Sequence, residues 1–208
     1  MQTSFTPNSY TFDSRAITAV VLAGGANTRM NLQPKACIEW RGQRFIDHIV
    51  ARLHDQAETI AVSNNQPELF ESLSLPILSD PFTDRRGPLA GILAGLNFSQ
   101  TEFTLFVPCD TPLVSLQLCA RLHQQIIRCN AEIAYASTGA DQHYLFALIR
   151  SSLAEDLREY FKRGDYAVRR WFATRAQIAV AFDDEPGSFL NINTPEALQQ
   201  LDTLIAPI

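Results

Sequence analysis

Four charged side chains, Arg29, Lys35, Asp80 and Asp110, each follow an apolar segment, and the pair Gly24-Gly25 closes the first of those segments. The stretch Val20-Val21-Leu22-Ala23-Gly24-Gly25-Ala26-Asn27-Thr28-Arg29-Met30 runs on through Pro34 to Lys35. Its apolar part, residues 16–23, reads as a buried strand opening into a loop. The glycines permit positive φ and leave no Cβ between backbone and ligand. Backbone N–H groups in such a loop, with a guanidinium and an ammonium nearby, suit a polyphosphate. The spacing is neither G-x-G-x-x-G nor G-x-x-x-x-G-K-[ST], so neither the dinucleotide nor the P-loop motif is present. On these residues alone, an ordinary strand-to-helix turn that contains Gly stays open as the other reading. Asp110, after the apolar run 103–107, is the metal candidate, because Mg²⁺ is held by one or two carboxylates together with phosphate oxygens. The alternative for Asp110, and for Asp80 before Pro81, is to cap a following helix. Phosphoryl or nucleotidyl transfer needs charge neutralisation and alignment more than a nucleophilic triad, and no triad is visible.

Composition narrows the field. The chain has 208 residues, 46% hydrophobic and 19% charged, enough for one domain with a sizeable core. A formal net charge of −5 argues against a general nucleic-acid binder. No run approaches transmembrane length. Residues 1–15 are polar, contain Pro7 and read as a flexible N-terminal tail with no apolar core of a signal peptide. Residues 16–208 read as a single domain. Cys37, Cys109, Cys119 and Cys129 form no C-x-x-C pair, and His48, His54, His123 and His143 show no zinc spacing. Free thiols predict a reducing compartment, the cytoplasm.

The elements that must position the charged residues follow from periodicity. Phe45, Ile46, Ile49, Val50 and Leu53 recur at helical spacing. Residues 59–63 (Thr-Ile-Ala-Val-Ser) form a short β-branched strand that breaks at Asn64-Asn65. A weak helix over 67–73 leads to a third strand at 75–78 and to Asp80. Gly87-Pro88-Leu89-Ala90-Gly91 opens a helix with Pro at an early position and small residues for close packing. After the strand 103–107, a helix carries Leu116, Leu118, Leu122 and Ile126 on its apolar face. Strands follow at 132–137, 143–149 and 178–182, with helices at 153–161 and 168–173. Thr194 is the predicted N-cap of a last helix with Pro195 in its first turn. Strands alternating with helices predict an α/β fold with a mostly parallel central sheet covered on both faces. Ligands gather at the carboxyl ends of such strands. The Gly24 loop, Asn64, Asn65, Asp80 and Asp110 should therefore line one edge.

Five blocks in order resemble the molybdenum cofactor guanylyltransferase family, enzymes that attach GMP from GTP to molybdopterin. They are L-A-G-G-x-x-x-R-M at residues 22–30 followed by Lys35, then Asp80, G-P-L-A-G at 87–91, P-C-D-T-P at 108–112 and N-x-N-T-P-E at 191–196. The resemblance implies a three-layer, Rossmann-like nucleotidyltransferase fold. It also implies that Leu22, Ala23 and Gly24 contact the guanine nucleotide, joined in the same loop by Gly25. Arg29 and Lys35 would bind its phosphates, Asp80 would help hold the nucleoside, Asn65 would be a further nucleotide-binding residue, and Asp110 would bind Mg²⁺. Asn191 and Asn193 would face the acceptor, molybdopterin, and protein partners would be molybdoenzymes or cofactor-assembly proteins. The chain departs from the family pattern at Asn31 and Pro34, where Gly and Asp are usual, at Ser63, at Tyr144 of the pair His143-Tyr144, and at Tyr166-Ala167. Two further readings are a cytidylyltransferase or other nucleotidyltransferase of the same group, and a non-catalytic nucleotide-binding partner in cofactor assembly.

The remaining features receive structural readings. Arg85-Arg86 is expected to be solvated, Arg169-Arg170-Trp171 to form one surface helical turn with Trp171 in the core, His143 to be structural, and Cys109 to have no chemistry.

Overall fold

The computed structural model describes residues 12–24, 29–30, 33–82 and 86–204. One seven-stranded sheet contains β1 (Ile17–Leu22), β2 (Thr59–Ser63), β3 (Ile77–Leu78), β4 (Phe103–Pro108), β5 (Ile133–Thr138), β6 (Asp141–Arg150) and β7 (Gln177–Ala181). Their order is β3-β2-β1-β4-β6-β5-β7. Strand β6 runs antiparallel to both its neighbours, and every other pairing is parallel. Only Gly139 and Ala140 separate β5 from β6. A parallel partner would require a crossover of about a dozen residues, so this short link dictates a hairpin.

Helices α1 (Phe45–Leu53), α2 (Pro88–Phe98), α3 (Leu118–Arg128), α4 (Ala154–Phe161), α5 (Val168–Phe172) and α6 (Pro195–Leu204) complete the fold. Strand β1 is buried along its whole length, and its side chains alternate between two cores. Ile17, Ala19 and Val21 pack with Ile46, Ile49 and Leu53 of α1 and with Leu118, Leu122 and Ile126 of α3. Val20 and Leu22 pack with Leu89, Ile92 and Leu96 of α2 and with Leu157, Phe161, Trp171 and Phe172 of α4 and α5. The result is the expected three-layer arrangement around a mostly parallel sheet. Phe12, at the start of the described chain, packs against the first of these cores, its ring 5.8 Å from that of His123.

Helix α2 approaches the sheet more closely than side chains would permit. A Cβ on Gly91 would lie 2.7 Å from Ser63 Oγ and 2.9 Å from a Leu22 methyl. One on Gly95 would lie 2.6 Å from the Phe106 ring and 2.9 Å from a Val20 methyl. These two residues explain the small-residue pattern of 87–95.

Two sequence expectations are corrected. Residues 67–73 form two 3₁₀ turns, Pro67–Leu69 and Glu71–Leu73, in place of a helix. Phe70 between them has φ −125° and Ser74 after them is left-handed, so no continuous i→i+4 ladder can form. Leu116 is 61% exposed and lies outside α3, which begins at Leu118. The buried stripe is Leu118, Leu122 and Ile126, and Leu116, two positions before its start, falls off that face. Among the described residues no helix is long and apolar enough to cross a membrane.

Candidate active site

Register decides where the charged residues meet. Leu22 is level with both Ser63 and Pro108, and Ser63 is level with Leu78, so four strand ends share one edge. The chain stays in step just beyond: Ala23 N donates to Ser63 O at 3.0 Å, Cys109 N to Leu22 O at 3.2 Å and Asn64 N to Leu78 O at 2.9 Å. Gly24, Asn64, Asn65, Asp80 and Asp110 therefore emerge together, as the strand pattern predicts. Gly25 lies outside the described residues. Arg29 is placed through its backbone, in a two-residue antiparallel ribbon opposite Pro34, and that ribbon feeds the 3₁₀ turn Lys35–Cys37.

The two asparagines after β2 divide their work. Asn64 is buried and braces the loop, donating from Nδ2 to Ala23 O at 2.6 Å and accepting from Gln66 N at 2.6 Å. Asn65 forms a reciprocal pair with Asp80: Asp80 N donates to Asn65 Oδ1 at 2.8 Å, and Asn65 Nδ2 donates to Asp80 Oδ2 at 3.2 Å. Partial burial pushes the Asp80 carboxyl above its ordinary pKa, with the Asn65 amide pulling the other way. Among the described residues no helix follows Asp80 directly: residues 81 and 82 are not helical, and α2 begins at Pro88, so the capping alternative fails there.

Lys35, after the ribbon that follows β1, and Asp110, after β4, come together. Lys35 Nζ donates to Asp110 Oδ2 at 3.1 Å and also to Asn193 Oδ1. The side chains of the ion pair are only 17% and 14% exposed. The C-terminal segment is laid along the turn after β4 by backbone and side chain alike. Ile192 N donates to Asp110 O at 2.8 Å, and Thr111 Oγ1 donates to Asn191 Oδ1 at 3.1 Å. Between the two asparagines Ile192 is fully buried, with Ile38, Trp40, Phe45 and Leu201. The alternation polar–apolar–polar of Asn191-Ile192-Asn193 is thus an extended segment with one anchored residue. Thr194 caps α6 as expected, accepting from Ala197 N at 3.2 Å. Asp110 has no helix to cap, because α3 begins only at Leu118. It is the carboxylate of an ion pair with Lys35.

Among the described residues no group of three or more His, Cys, Asp or Glu could hold a metal by itself. A lone carboxylate at a strand end suits a hard cation that draws its other ligands from phosphate and water, which is the habit of Mg²⁺. Cys109, beside Asp110, is buried, and its thiol is pushed up to about 12 by desolvation, so it carries no nucleophile. Trp171 is fully buried and donates from Nε1 to Asp156 Oδ2 at 2.9 Å, as a core residue should. Arg86 departs from its expected solvated state: its guanidinium lies 3.9 Å from the Phe82 ring centroid and 5.3 Å from that of Tyr166. The signal was the pair of aromatics at 82 and 166, whose proximity no local pattern reveals.

The family described as MobA-like NTP transferase domain matches residues 19–180. A molybdenum cofactor guanylyltransferase from Shewanella sp. (strain MR-4) is 35% identical over 189 residues, covering 90% of this chain and 96% of that protein. One of the same name from Shewanella woodyi is 34% identical over 194 residues, covering 93% and 99%. Among solved structures, molybdopterin-guanine dinucleotide biosynthesis protein A from Archaeoglobus fulgidus superposes with a TM-score of 0.74 at 20% identity, over 92% of this chain and 100% of that one. A CMP:2-keto-3-deoxy-manno-octonic acid synthetase, complexed with CTP, superposes with a TM-score of 0.65 at 11% identity, over 93% and 99%. These structural likenesses concern the fold.

Proposed function

This chain belongs to the MobA-like NTP transferase family and is a nucleotidyltransferase, and from that premise we propose that it transfers GMP from GTP to molybdopterin, forming the guanine dinucleotide cofactor and releasing pyrophosphate. The observation that carries the reading is the convergence of Lys35, Asp110 and Asn193, 75 and 158 residues apart in sequence, at one strand edge. The names of relatives aligned over nearly the whole chain support the choice of base and acceptor.

In this reading the backbone of Leu22, Ala23, Gly24 and Gly25 approaches the nucleotide, and Asn65 with Asp80 holds the nucleoside. Arg29 and Lys35 meet the phosphates. A terminal phosphate oxygen of molybdopterin forms a bond to the α-phosphorus of GTP. The bond from that phosphorus to the α–β bridging oxygen breaks, and pyrophosphate leaves with the electron pair. Lys35 already sits against Asp110, so its charge is fixed before substrate arrives, and preorganised charge costs no reorganisation during reaction. Asp110 would hold Mg²⁺, whose chemistry is to neutralise phosphate charge. Asn191 and Asn193 form the acceptor side. The free state of Cys37, Cys109, Cys119 and Cys129 fits a reducing, cytoplasmic setting, where molybdoenzymes and cofactor-assembly proteins would be the partners.

The test is a thermal-shift panel with GTP, CTP, ATP and UTP, each with and without Mg²⁺, followed by a transfer assay that reads pyrophosphate. A ligand that binds only the folded state raises apparent stability by mass action. The expected result is a Mg²⁺-dependent shift with GTP, pyrophosphate release only when molybdopterin is present, and loss of release in a folded Asp110→Ala variant. A shift with CTP alone overturns the base assignment. Nucleotide binding without release of pyrophosphate overturns catalysis.

A further inference from the structure

Strand β6 carries an irregularity at the level of the site. Its pairing with β5 jumps from His143↔Ala136 to Ala147↔Tyr135, so Tyr144, Leu145 and Phe146 are extra on the β6 side. Its pairing with β4 ends at Ala147↔Phe106, two residues before β4 itself ends at Pro108. In a regular strand His143 and Phe146, three residues apart, would point to opposite faces. The bulge instead brings both rings onto Phe189. The His143 imidazole stacks on Phe189 at 4.9 Å and 17°, and Phe146 meets the same ring edge-on at 4.9 Å. Phe182 closes the third side at 5.1 Å. His143 Nε2 lies 2.7 Å from Thr138 Oγ1, which fixes the plane of the imidazole.

Phe189 is two residues from Asn191 and four from Asn193. The segment it starts makes the Thr111–Asn191, Ile192–Asp110 and Lys35–Asn193 hydrogen bonds. Bulges recur beside active sites, where they re-aim side chains. We propose that His143 is a positioning residue of the transfer reaction: its ring, through Phe189, sets the Asn191–Asn193 segment against Lys35 and Asp110. The assignment rests on the proposed role of Asn193 on the acceptor side. The stack carries the effect, and the Thr138 contact orients it.

The experiment compares His143→Ala, His143→Phe and His143→Gln, and places His143→Ala in an Asn193→Ala background. Small displacements of positioning groups are costly to turnover, so His143→Ala should raise the acceptor KM by about tenfold while the GTP KM stays within about twofold. His143→Phe, which keeps the stack, should restore the acceptor KM, and His143→Gln, which keeps only a hydrogen-bonding group, should not. Because residues acting through one contact are not additive, His143→Ala should change the acceptor KM by less than about twofold when Asn193 is already Ala. Additive losses, or His143→Phe no better than His143→Ala, overturn the proposal. Amide exchange at Ile192 gives a readout independent of transfer. It should accelerate in His143→Ala and return in His143→Phe, and unchanged protection in His143→Ala also overturns the proposal. A wild-type protein that transfers no GMP overturns the guanylyltransferase reading, and the exchange measurement then still decides the role of His143.

Discussion

Replacing Lys35 by Met keeps the length and apolar stem of the side chain and removes its charge. The ammonium lies 3.1 Å from the Asp110 carboxylate, with both side chains mostly shielded from solvent. At an effective dielectric near 20 the attraction at that distance is ~5 kcal/mol. Removing one partner leaves the other ion desolvated and uncompensated, so the loss lies between the values for exposed and for fully buried pairs, at about 1–3 kcal/mol. For a domain of this size that lowers Tm by roughly 2–12 °C. The effect on turnover should be larger, because in the proposed reaction the same ammonium stabilises charge on the departing phosphates. Removal of one such preorganised group costs about 10²–10³ in rate, or ~3–4 kcal/mol. Steady-state pyrophosphate release with GTP and molybdopterin, beside a thermal melt of the same preparation, separates the two effects. Lys35→Arg should recover stability more than activity, since a planar fork cannot reproduce one nitrogen donating to both Asp110 and Asn193. A Lys35→Met protein that keeps kcat/KM within about threefold of wild type would refute the electrostatic assignment.

Two further outcomes concern packing and acid. Gly95→Ala gains about 1 kcal/mol of helix propensity but drives a methyl into the fully buried Phe106 ring and Val20, an overpacking cost of about 1–3 kcal/mol. Urea melts should show a net loss of about 1 kcal/mol that Phe106→Leu partly reverses, with a smaller loss for Gly91→Ala, whose Ser63 hydroxyl can rotate away. His123 and His143 both titrate below the ordinary histidine value because burial disfavours their charged form. The unfolded chain then binds more protons, so stability is lost as pH falls through about 6.5, the unfolded value, toward the lower folded values. The denaturation midpoint should drop between pH 7.5 and pH 5.5, and His123→Phe should flatten that slope. Asp47, whose carboxyl the Arg44 guanidinium holds below its usual range, releases its stabilisation only at more acid pH, outside this window.

Much of the molecule was written locally. The β-branched and apolar runs ending at Leu22, Ser63 and Val107 each stop at a polar residue or Gly, and this punctuation was enough to put Gly24, Asn65, Asp80 and Asp110 at strand ends. The helical spacing of Phe45, Ile46, Ile49 and Leu53 gave α1 without ambiguity, because a single buried stripe leaves only one period. Thr194 before Pro195 marked the start of α6 through a capping bond that spans three residues. Parallel topology then followed from alternation, and with it the shared edge. The sequence alone also carried the family, through five ordered blocks that are residue identities and need no geometry.

Tertiary structure decided the rest, for reasons of distance. Lys35 finds Asp110 and Asn193 only because parallel register levels the ends of β1 and β4, and because buried Ile192 draws the last segment across them. Asn64 and Asn65 are alike in sequence, yet one braces the Ala23 carbonyl and the other pairs with Asp80, a division set by which side chain the β2 end turns inward. The Gly91 and Gly95 contacts depend on where α2 crosses the sheet. The bulge that turns His143 and Phe146 onto one ring breaks the very alternation by which strands are read. Local patterns report what each residue does to its neighbours along the chain. The site is made by contacts between residues that share only a place in the fold.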